Sequence, residues 1–566
     1  MISFKHFRNL ALTSGLFALI ATCFSGETFA QTAECAAIDA AALGQNGLEI
    51  TAMKFVAADG DQPPHCLLTG SLDKRTREDG HAYAIGFEMR LPVAWNGRFL
   101  HQLNGGNDGE VVPALGGTAP FSAFGGTSPL ARGFAVLSSD SGHSGRDPAN
   151  KDFGAVAGAA FGLDPQARRD YGYSADLRLA PVARAIITAH YGRKADYSYM
   201  VGCSNGGRHA MVDAARMPEQ YDGFLVGNPG FDLPKAAVQH AWDVQHLLKI
   251  DSDIRKTITH DDVKLIDRRI LDVCDALDGL NDGLTTNLRA CSKAFDFDRL
   301  ACAFGENENC LPPVKASGLK AMFGGPRNSK GEQLYSDWPI DAGIGTGNWR
   351  AWKIESPVAA WNNYPIISVM GAASLAMIFT TPPTKIGGSN AELVDFLAKF
   401  DFDRDAPKIY RTAGEFTQSA MDLMTPPDVA APKLEGLRQA GRKMIIYHGQ
   451  ADPVFSVNDT IAWYEKLDAN TGGKADANVR LFTVPGVTHC GGGAGLDRFD
   501  ALTALTDWVE KSKPPETIVA SATPGNKDIP PDWSPTRTRP LCPWPKIARY
   551  VSGDPEAAAS FTCTAP

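Results

Sequence analysis

Short apolar runs alternate with helically spaced apolar positions from about residue 80 to residue 230. Arg98-Phe99-Leu100-His101, Phe134-Ala135-Val136-Leu137-Ser138 and Tyr197-Ser198-Tyr199-Met200-Val201 are predicted strands. Leu179, Val182, Ala183 and Ile186 share one face of a helix that runs up to Tyr191. Pro181 lies inside that stretch, so it either kinks the helix or occupies its first turn. Residues 205–217 are predicted as the next helix, and Gly223-Phe224-Leu225-Val226-Gly227 as the strand after it. Strand–helix alternation of this kind builds a parallel sheet covered by helices, an α/β fold.

The pattern changes near Phe231. Residues 232–430 are rich in Trp, Pro and Asp and are predicted to be dominated by irregular loops. Strands return at Lys443-Met444-Ile445-Ile446-Tyr447 and at Arg480-Leu481-Phe482-Thr483-Val484. The middle is therefore an insertion that caps an interrupted core. The first part of the core spans 31–231, the lid 232–430, and the second part with its tail 431–566. The Pro-rich stretch 523–545 is predicted to wrap on the surface, fastened by Cys542 and Cys563.

Bulk properties narrow the class. A chain of 566 residues exceeds one simple core, and 44% hydrophobic with 21% charged residues is a globular composition. A formal net charge of −9, with no Lys/Arg run to reverse it locally, argues against nucleic-acid or anionic-lipid partners. Residues 1–30 have the layout of an export signal. Lys5, His6 and Arg8 precede an apolar stretch over 10–24, and Thr28-Phe29-Ala30 offers a cleavage site before Gln31. The apolar stretch is short for a membrane span, and nothing later is long and apolar enough. Cys23 leaves a lipoprotein form open. The expected location is periplasmic or extracellular. The ten cysteines after Cys23, an even number in an exported chain, suggest disulfides, and none has zinc-site spacing.

The candidate chemistry centres on Gly202-Cys203-Ser204-Asn205-Gly206, a G-x-S-x-G turn between a predicted strand and helix. A serine hydroxyl needs a base, and in this fold the partners follow in the order serine, acid, histidine. Asp452 and His489 lie just beyond the two later strands, in that order. Asp452 would orient the imidazole and His489 would take the serine proton. His448 and His143 are rival bases. His448 lies within a strand end and reads as buried and structural, while His143 precedes the serine. The oxyanion of an acyl-transfer intermediate needs two N–H donors, expected from Asn205 and from Gly106 after an early strand. Cys203 and Cys490 adjoin the proposed nucleophile and base, so a disulfide between them would tie the two loops together.

A second group of residues is Asp275-Ala276-Leu277-Asp278-Gly279-Leu280-Asn281-Asp282-Gly283-Leu284, flanked by Cys274 and Cys291. Three carboxylates so close repel unless hydrated or bound to a cation, and oxygen-only ligands suit calcium. A solvated acidic turn is the alternative.

Cys203-Ser204, Asp452 and His489-Cys490 together resemble the CS-D-HC signature of the tannase and feruloyl esterase family. The resemblance covers nearly all of the mature chain, and 161–168, 274–280, 400–403 and 538–543 also carry it. It is greatest to members that cleave mono(2-hydroxyethyl) terephthalate. It implies an α/β-hydrolase core with a large inserted lid and a structural Ca2+ in that lid. Asp275, Asp278 and Asp282 would bind the ion through side chains, and Leu280 and Leu284 through carbonyls. The implied disulfides are Cys35–Cys66, Cys203–Cys490, Cys274–Cys291, Cys302–Cys310 and Cys542–Cys563. Aromatic pocket residues are implied at Trp352, Phe379 and Phe455. Two positions depart from the terephthalate-cleaving pattern: Ile366 falls where those members carry a carboxylate-gripping arginine, and Asn205 where they carry glutamate.

The expected function is a secreted serine carboxylic ester hydrolase acting on small esters of aromatic, phenolic acids through an acyl-enzyme. Cleavage of the terephthalate monoester is the alternative substrate, and a non-catalytic lidded binding protein the alternative of another class.

Overall fold

The computed structural model describes Cys35 and residues 38–566 except 79, 119, 120 and 307; the expected signal at 1–30 lies outside them. Nine strands form the main sheet: β1 (Glu49–Val56), β2 (His65–Thr76), β3 (Ala82–Pro92), β4 (Arg98–Leu103), β5 (Ala135–Ser139), β6 (Tyr197–Cys203), β7 (Gly223–Gly227), β8 (Lys443–Gly449) and β9 (Val479–Val484). Their order is β1-β2-β3-β5-β4-β6-β7-β8-β9. The strands from β5 to β9 run parallel, and β1, β2 and β3 extend the sheet antiparallel. This is the α/β fold expected, and the strands seen in the apolar runs are present. The antiparallel extension was not read from the sequence. In β1 only alternate or scattered positions are shielded from solvent, so its apolar signal is diluted.

The parallel strands are buried on both faces. Met200, Phe224, Met444 and Leu481 pack on one side, while Tyr199, Leu225, Ile445 and Phe482 pack on the other. Helix α1 (Ala175–Tyr191) covers the first side through Leu179, Val182, Ala183 and Ile186. Pro181 sits within this continuous helix and not in its first turn, because a π-helical turn over Asp170–Ser174 precedes it. Helix α2 (Asn205–Arg216) follows β6.

Between β7 and β8 the described residues form no further named strand. The expected irregular lid is instead largely helical, with Leu233–Leu247, His260–Cys274, Pro313–Phe323 and Asn390–Ala398 its longest helices. Ser389 and Glu392 close a capping box that starts the last of these. The lid has its own apolar cluster, which includes Leu375, Leu393 and Trp349, and which also takes in Phe161, Tyr171 and Phe455 from the core. The tail does more than wrap the surface. Ile518–Ser521 pairs with Thr538–Leu541, and Cys542 is bonded to Cys563.

Candidate active site

β6 ends at Cys203 and α2 begins at Asn205, which leaves Ser204 on the turn with φ 65° and ψ −126°. A residue with a Cβ rarely adopts such a backbone, so the turn holds the serine under strain. The flanking glycines are required by contact. A Cβ on Gly202 would stand 2.5 Å from the carbonyl carbon of Gly206, and one on Gly206 would stand 2.4 Å from Leu103 O. Strand, turn and helix can pass this closely only without those side chains.

Ser204, His489 and Asp452, 285 and 37 positions apart in sequence, form one hydrogen-bonded chain. His489 Nε2 is 2.7 Å from Ser204 Oγ and Nδ1 is 2.8 Å from Asp452 Oδ2. A carboxylate can only accept, so the ring proton belongs on Nδ1, and Nε2 is left to accept from the serine hydroxyl.

Asp452 is fully enclosed. Its Oδ1 accepts from Val454 N at 2.7 Å and Phe455 N at 3.2 Å, and its Oδ2 also accepts from Asn228 Nδ2 at 2.8 Å. Burial by itself would raise the carboxyl pKa. The charge on His489 and hydrogen bonds from His448 and His489 outweigh it and hold the group far below the usual carboxylate range. His448 is buried and structural: Nδ1 meets Thr460 Oγ1 at 2.9 Å and Nε2 meets Phe455 O at 3.0 Å. Nε2 also lies 3.2 Å from Asp452 Oδ2, so His448 supports the acid. His143 is spent elsewhere, with Nε2 2.8 Å from Asn107 O and its ring stacked on Phe161. Burial pushes its pKa down to about 4. Asn228 was missed by sequence reasoning. It directly follows β7 without a catalytic motif, and only its residue type and position just past the strand could have marked it.

All five expected disulfides are present. Cys203–Cys490 joins the serine turn to the histidine loop across 287 residues, with Cα atoms 6.0 Å apart. The loop after β4 abuts the same turn: a Cβ on Gly105 would stand 3.8 Å from that of Ser204. Gly106 follows with φ 65°, and its carbonyl accepts from Tyr171 OH. The N–H of Asn205 begins α2 and so has no acceptor within the helix. Asn205 thus adjoins the serine in sequence, and the loop that carries Gly106 abuts the same turn through Gly105.

A cavity of about 820 Å³ opens at Ser204 and His489. Trp352 of the lid lines it, with its ring edge-on to His489 at 5.4 Å. Phe455 is packed on His489 too, at 5.5 Å, from within the buried cluster. Ile366 is half-buried, and Phe379 is only 3% exposed within the lid cluster; these two and Phe455 are not among the residues lining this cavity, so of the four expected pocket residues only Trp352 is. Thr523 and Asn526 of the tail help to line it, which the sequence did not suggest.

The acidic loop is curled on itself. Asp275 Oδ1 accepts from Asp282 N at 2.9 Å, and Asp278 Oδ1 from Leu280 N at 3.1 Å. Arg539 of the tail pairs with Asp282 Oδ2 at 2.6 Å. Burial, with the charge of Asp282, pushes Asp278 up to about 6, and burial raises Asp275 as well. Carboxylates crowded beyond what one arginine neutralises, with Cys274–Cys291 bracing the loop, fit a hard, oxygen-seeking cation. Elsewhere among the described residues, Asp176, His209 and Asp213 bring three ligand atoms within 4.8 Å of one another.

The sheet order, strained serine turn and inserted lid define an α/β hydrolase. Similar folds are found in feruloyl esterase B from Aspergillus oryzae (TM-score 0.72, 20% identity, 94% of this chain and 100% of that one) and in tannin acyl hydrolase from Aspergillus niger (TM-score 0.63, 19% identity, 92% of each). In sequence, the chain is 42% identical to mono(2-hydroxyethyl) terephthalate hydrolase of Piscinibacter sakaiensis, over 89% of this chain and 85% of that protein. It is 29% identical to a probable feruloyl esterase of Arthroderma benhamiae, over 84% and 81%. The tannase and feruloyl esterase family model matches residues 66–564, and the chain belongs to that family. It is a carboxylic ester hydrolase that acts on small ester substrates.

Proposed function

We propose that the protein hydrolyses esters of aromatic acids by a serine mechanism. The observation that carries this reading is the unbroken chain from Ser204 through His489 to Asp452. His489 Nε2 takes the Ser204 proton as Oγ attacks the ester carbonyl. The N–H groups of Asn205 and Gly106 receive the developing oxyanion. Collapse breaks the ester C–O bond, the departing alcohol receives from His489 the proton that came from Ser204, and an acyl-enzyme remains. Water, deprotonated by His489, then releases the acid. Asp452 holds the imidazole tautomer and offsets its charge. Trp352 offers an aromatic wall to the acyl ring.

Ca2+ would be held by the carboxylates of Asp275, Asp278 and Asp282 with the carbonyls of Leu280 and Leu284, where it would neutralise the loop and fix the lid. Export to the periplasm or beyond is supported by the signal layout of residues 1–30 and by the five disulfides. No helix among the described residues is long and apolar enough to cross a membrane.

The test is a hydrolysis screen of methyl ferulate, methyl gallate, chlorogenate and the terephthalate monoester, with Ser204→Ala as control. Turnover of at least one phenolic ester, lost in the variant, is expected; full activity in the variant would sink the mechanism. Identity to the Piscinibacter enzyme favours the terephthalate monoester as a second substrate. Ile366 offers no support for it: an aliphatic side chain cannot make charge-assisted bonds to a free carboxylate, and this one does not line the cavity.

A further inference from the structure

A single carboxylate outside the catalytic chain joins the loop after β4 to helix α2. Asp108 Oδ2 accepts from Asn205 Nδ2 at 2.9 Å and lies 3.0 Å from His209 Nε2. Asn205 and His209 are one turn apart on α2, so both reach from the same face. His209 Nδ1 lies 2.8 Å from Asp176 Oδ2 on α1. The side chains of Asp108, Asp176 and His209 are each no more than 1% exposed, and Asn205 is 2% exposed. Arg208 holds the other end of the Asn205 amide, donating to Oδ1 from Nε at 2.9 Å and from Nη2 at 2.7 Å. The amide orientation follows: oxygen to Arg208, nitrogen to Asp108. Arg208 Nη2 also stands 2.9 Å from His209 Nε2, but it has Tyr171 O and Asn205 Oδ1 as acceptors. The Nε2 proton therefore points to Asp108, which can only accept. Burial and Arg208 would push the His209 pKa down; Asp176 and the hydrogen bonds to both carboxylates override them and raise it.

On the loop side, Asp108 has a left-handed backbone, φ 54°, and its N–H donates to Gly105 O at 3.2 Å to close a turn. Gly106 lies inside that turn. Two adjacent glycines leave the loop little stiffness of its own. Its position must come from what grips it: Tyr171 OH and His143 Nε2 hold the Gly106 and Asn107 carbonyls, and Asp108 ties the loop to α2.

We propose that Asp108, clamped by Asn205 and His209, is a positioning residue that sets the distance between the two oxyanion donors, the N–H of Gly106 and the N–H of Asn205. This rests on the serine mechanism proposed above. It also assigns the Asn205 side chain a task separate from that of its backbone.

The experiment compares wild type with Asp108→Ala, Asp108→Asn, His209→Gln and Asn205→Ala. Readouts are kcat and KM on one neutral aromatic ester, and inhibition by an aryl boronic acid, which forms a tetrahedral adduct on serine, set against the product acid. Loss of one oxyanion donor typically costs about 100-fold in kcat. Asp108→Ala is expected to lower kcat about 10- to 100-fold with KM within about 3-fold, and to weaken the boronate by the same factor while the product acid binds unchanged. Asp108→Asn, which keeps one acceptor oxygen, should recover part of the loss. If Asp108→Ala does not fold, Asn205→Ala and His209→Gln carry the same prediction at smaller size. A kcat loss with boronate binding intact, or kcat within 3-fold of wild type in all four variants, would overturn the proposal. Failure of the serine mechanism shows separately, as an active Ser204→Ala and a wild type that does not bind the boronate.

Discussion

Cys203 and Cys490 are bonded across 287 residues, and their chain neighbours Ser204 and His489 meet at 2.7 Å. The crosslink lies one residue from each reacting side chain, so it restrains their separation more directly than any packing contact can. Replacing both cysteines by serine should lower kcat about tenfold or more, because a shift near 1 Å at the reacting atoms can cost far more than it does elsewhere. The same change should reduce stability by about 2–4 kcal/mol. Steady-state kinetics beside thermal melting check both. An unchanged kcat with a lowered Tm would make the crosslink structural only.

Ser204→Ala should reduce turnover of methyl ferulate or p-nitrophenyl esters by about 10⁴-fold or more and abolish labelling by a fluorophosphonate. Labelling that persists in the variant would place the nucleophile elsewhere.

Asp452→Asn should cost about 10⁴-fold in kcat by favouring the wrong His489 tautomer. A pH effect on stability follows as well. The native carboxyl titrates below its unfolded value of about 3.9, so its contribution is full above that pH and is lost as pH falls toward the native value. The Tm gap between wild type and variant should narrow below about pH 4. A gap that widens with acid would contradict the depressed pKa.

Calcium removal should lower the melting temperature. A ligand at 100 times its Kd stabilises by about 2.7 kcal/mol. EDTA should therefore lower Tm by several degrees, Ca2+ should restore it, and Asp278→Asn should remove the response. A wild type whose Tm is unchanged by EDTA and by added Ca2+ would count against the site.

Ile366 lies outside the residues lining the cavity, so Ile366→Arg should leave the ratio of kcat/KM on the terephthalate monoester to that on a neutral aromatic ester unchanged. A selective gain on the monoester would show that residue 366 reaches the acid.

Much of this protein is legible in its sequence because the signals are local. An apolar run before Gly202-Cys203-Ser204-Asn205-Gly206 marks a strand and its turn, since the clash of any added Cβ confines that spacing to one geometry. The order of Ser204, Asp452 and His489 at successive strand ends, with a cysteine beside two of them, marked the candidate catalytic group. Other features depend on residues far apart in the chain meeting in space. Nothing local announces Asn228 or His448 as partners of Asp452, Asp108 as the tie between loop and helix, or a tail that reaches back to line the cavity at Thr523 and Asn526. The pocket residues divide the same way: their aromatic character could be read from the chain, but only packing put Trp352 against His489 and sank Phe379 into the lid. Sequence determined the fold class and the candidate chemistry, because hydrophobic period and turn sterics act over a few residues. Tertiary structure alone decided which buried polar groups hold that chemistry in place, because each is satisfied only by a partner that folding brings from elsewhere in the chain.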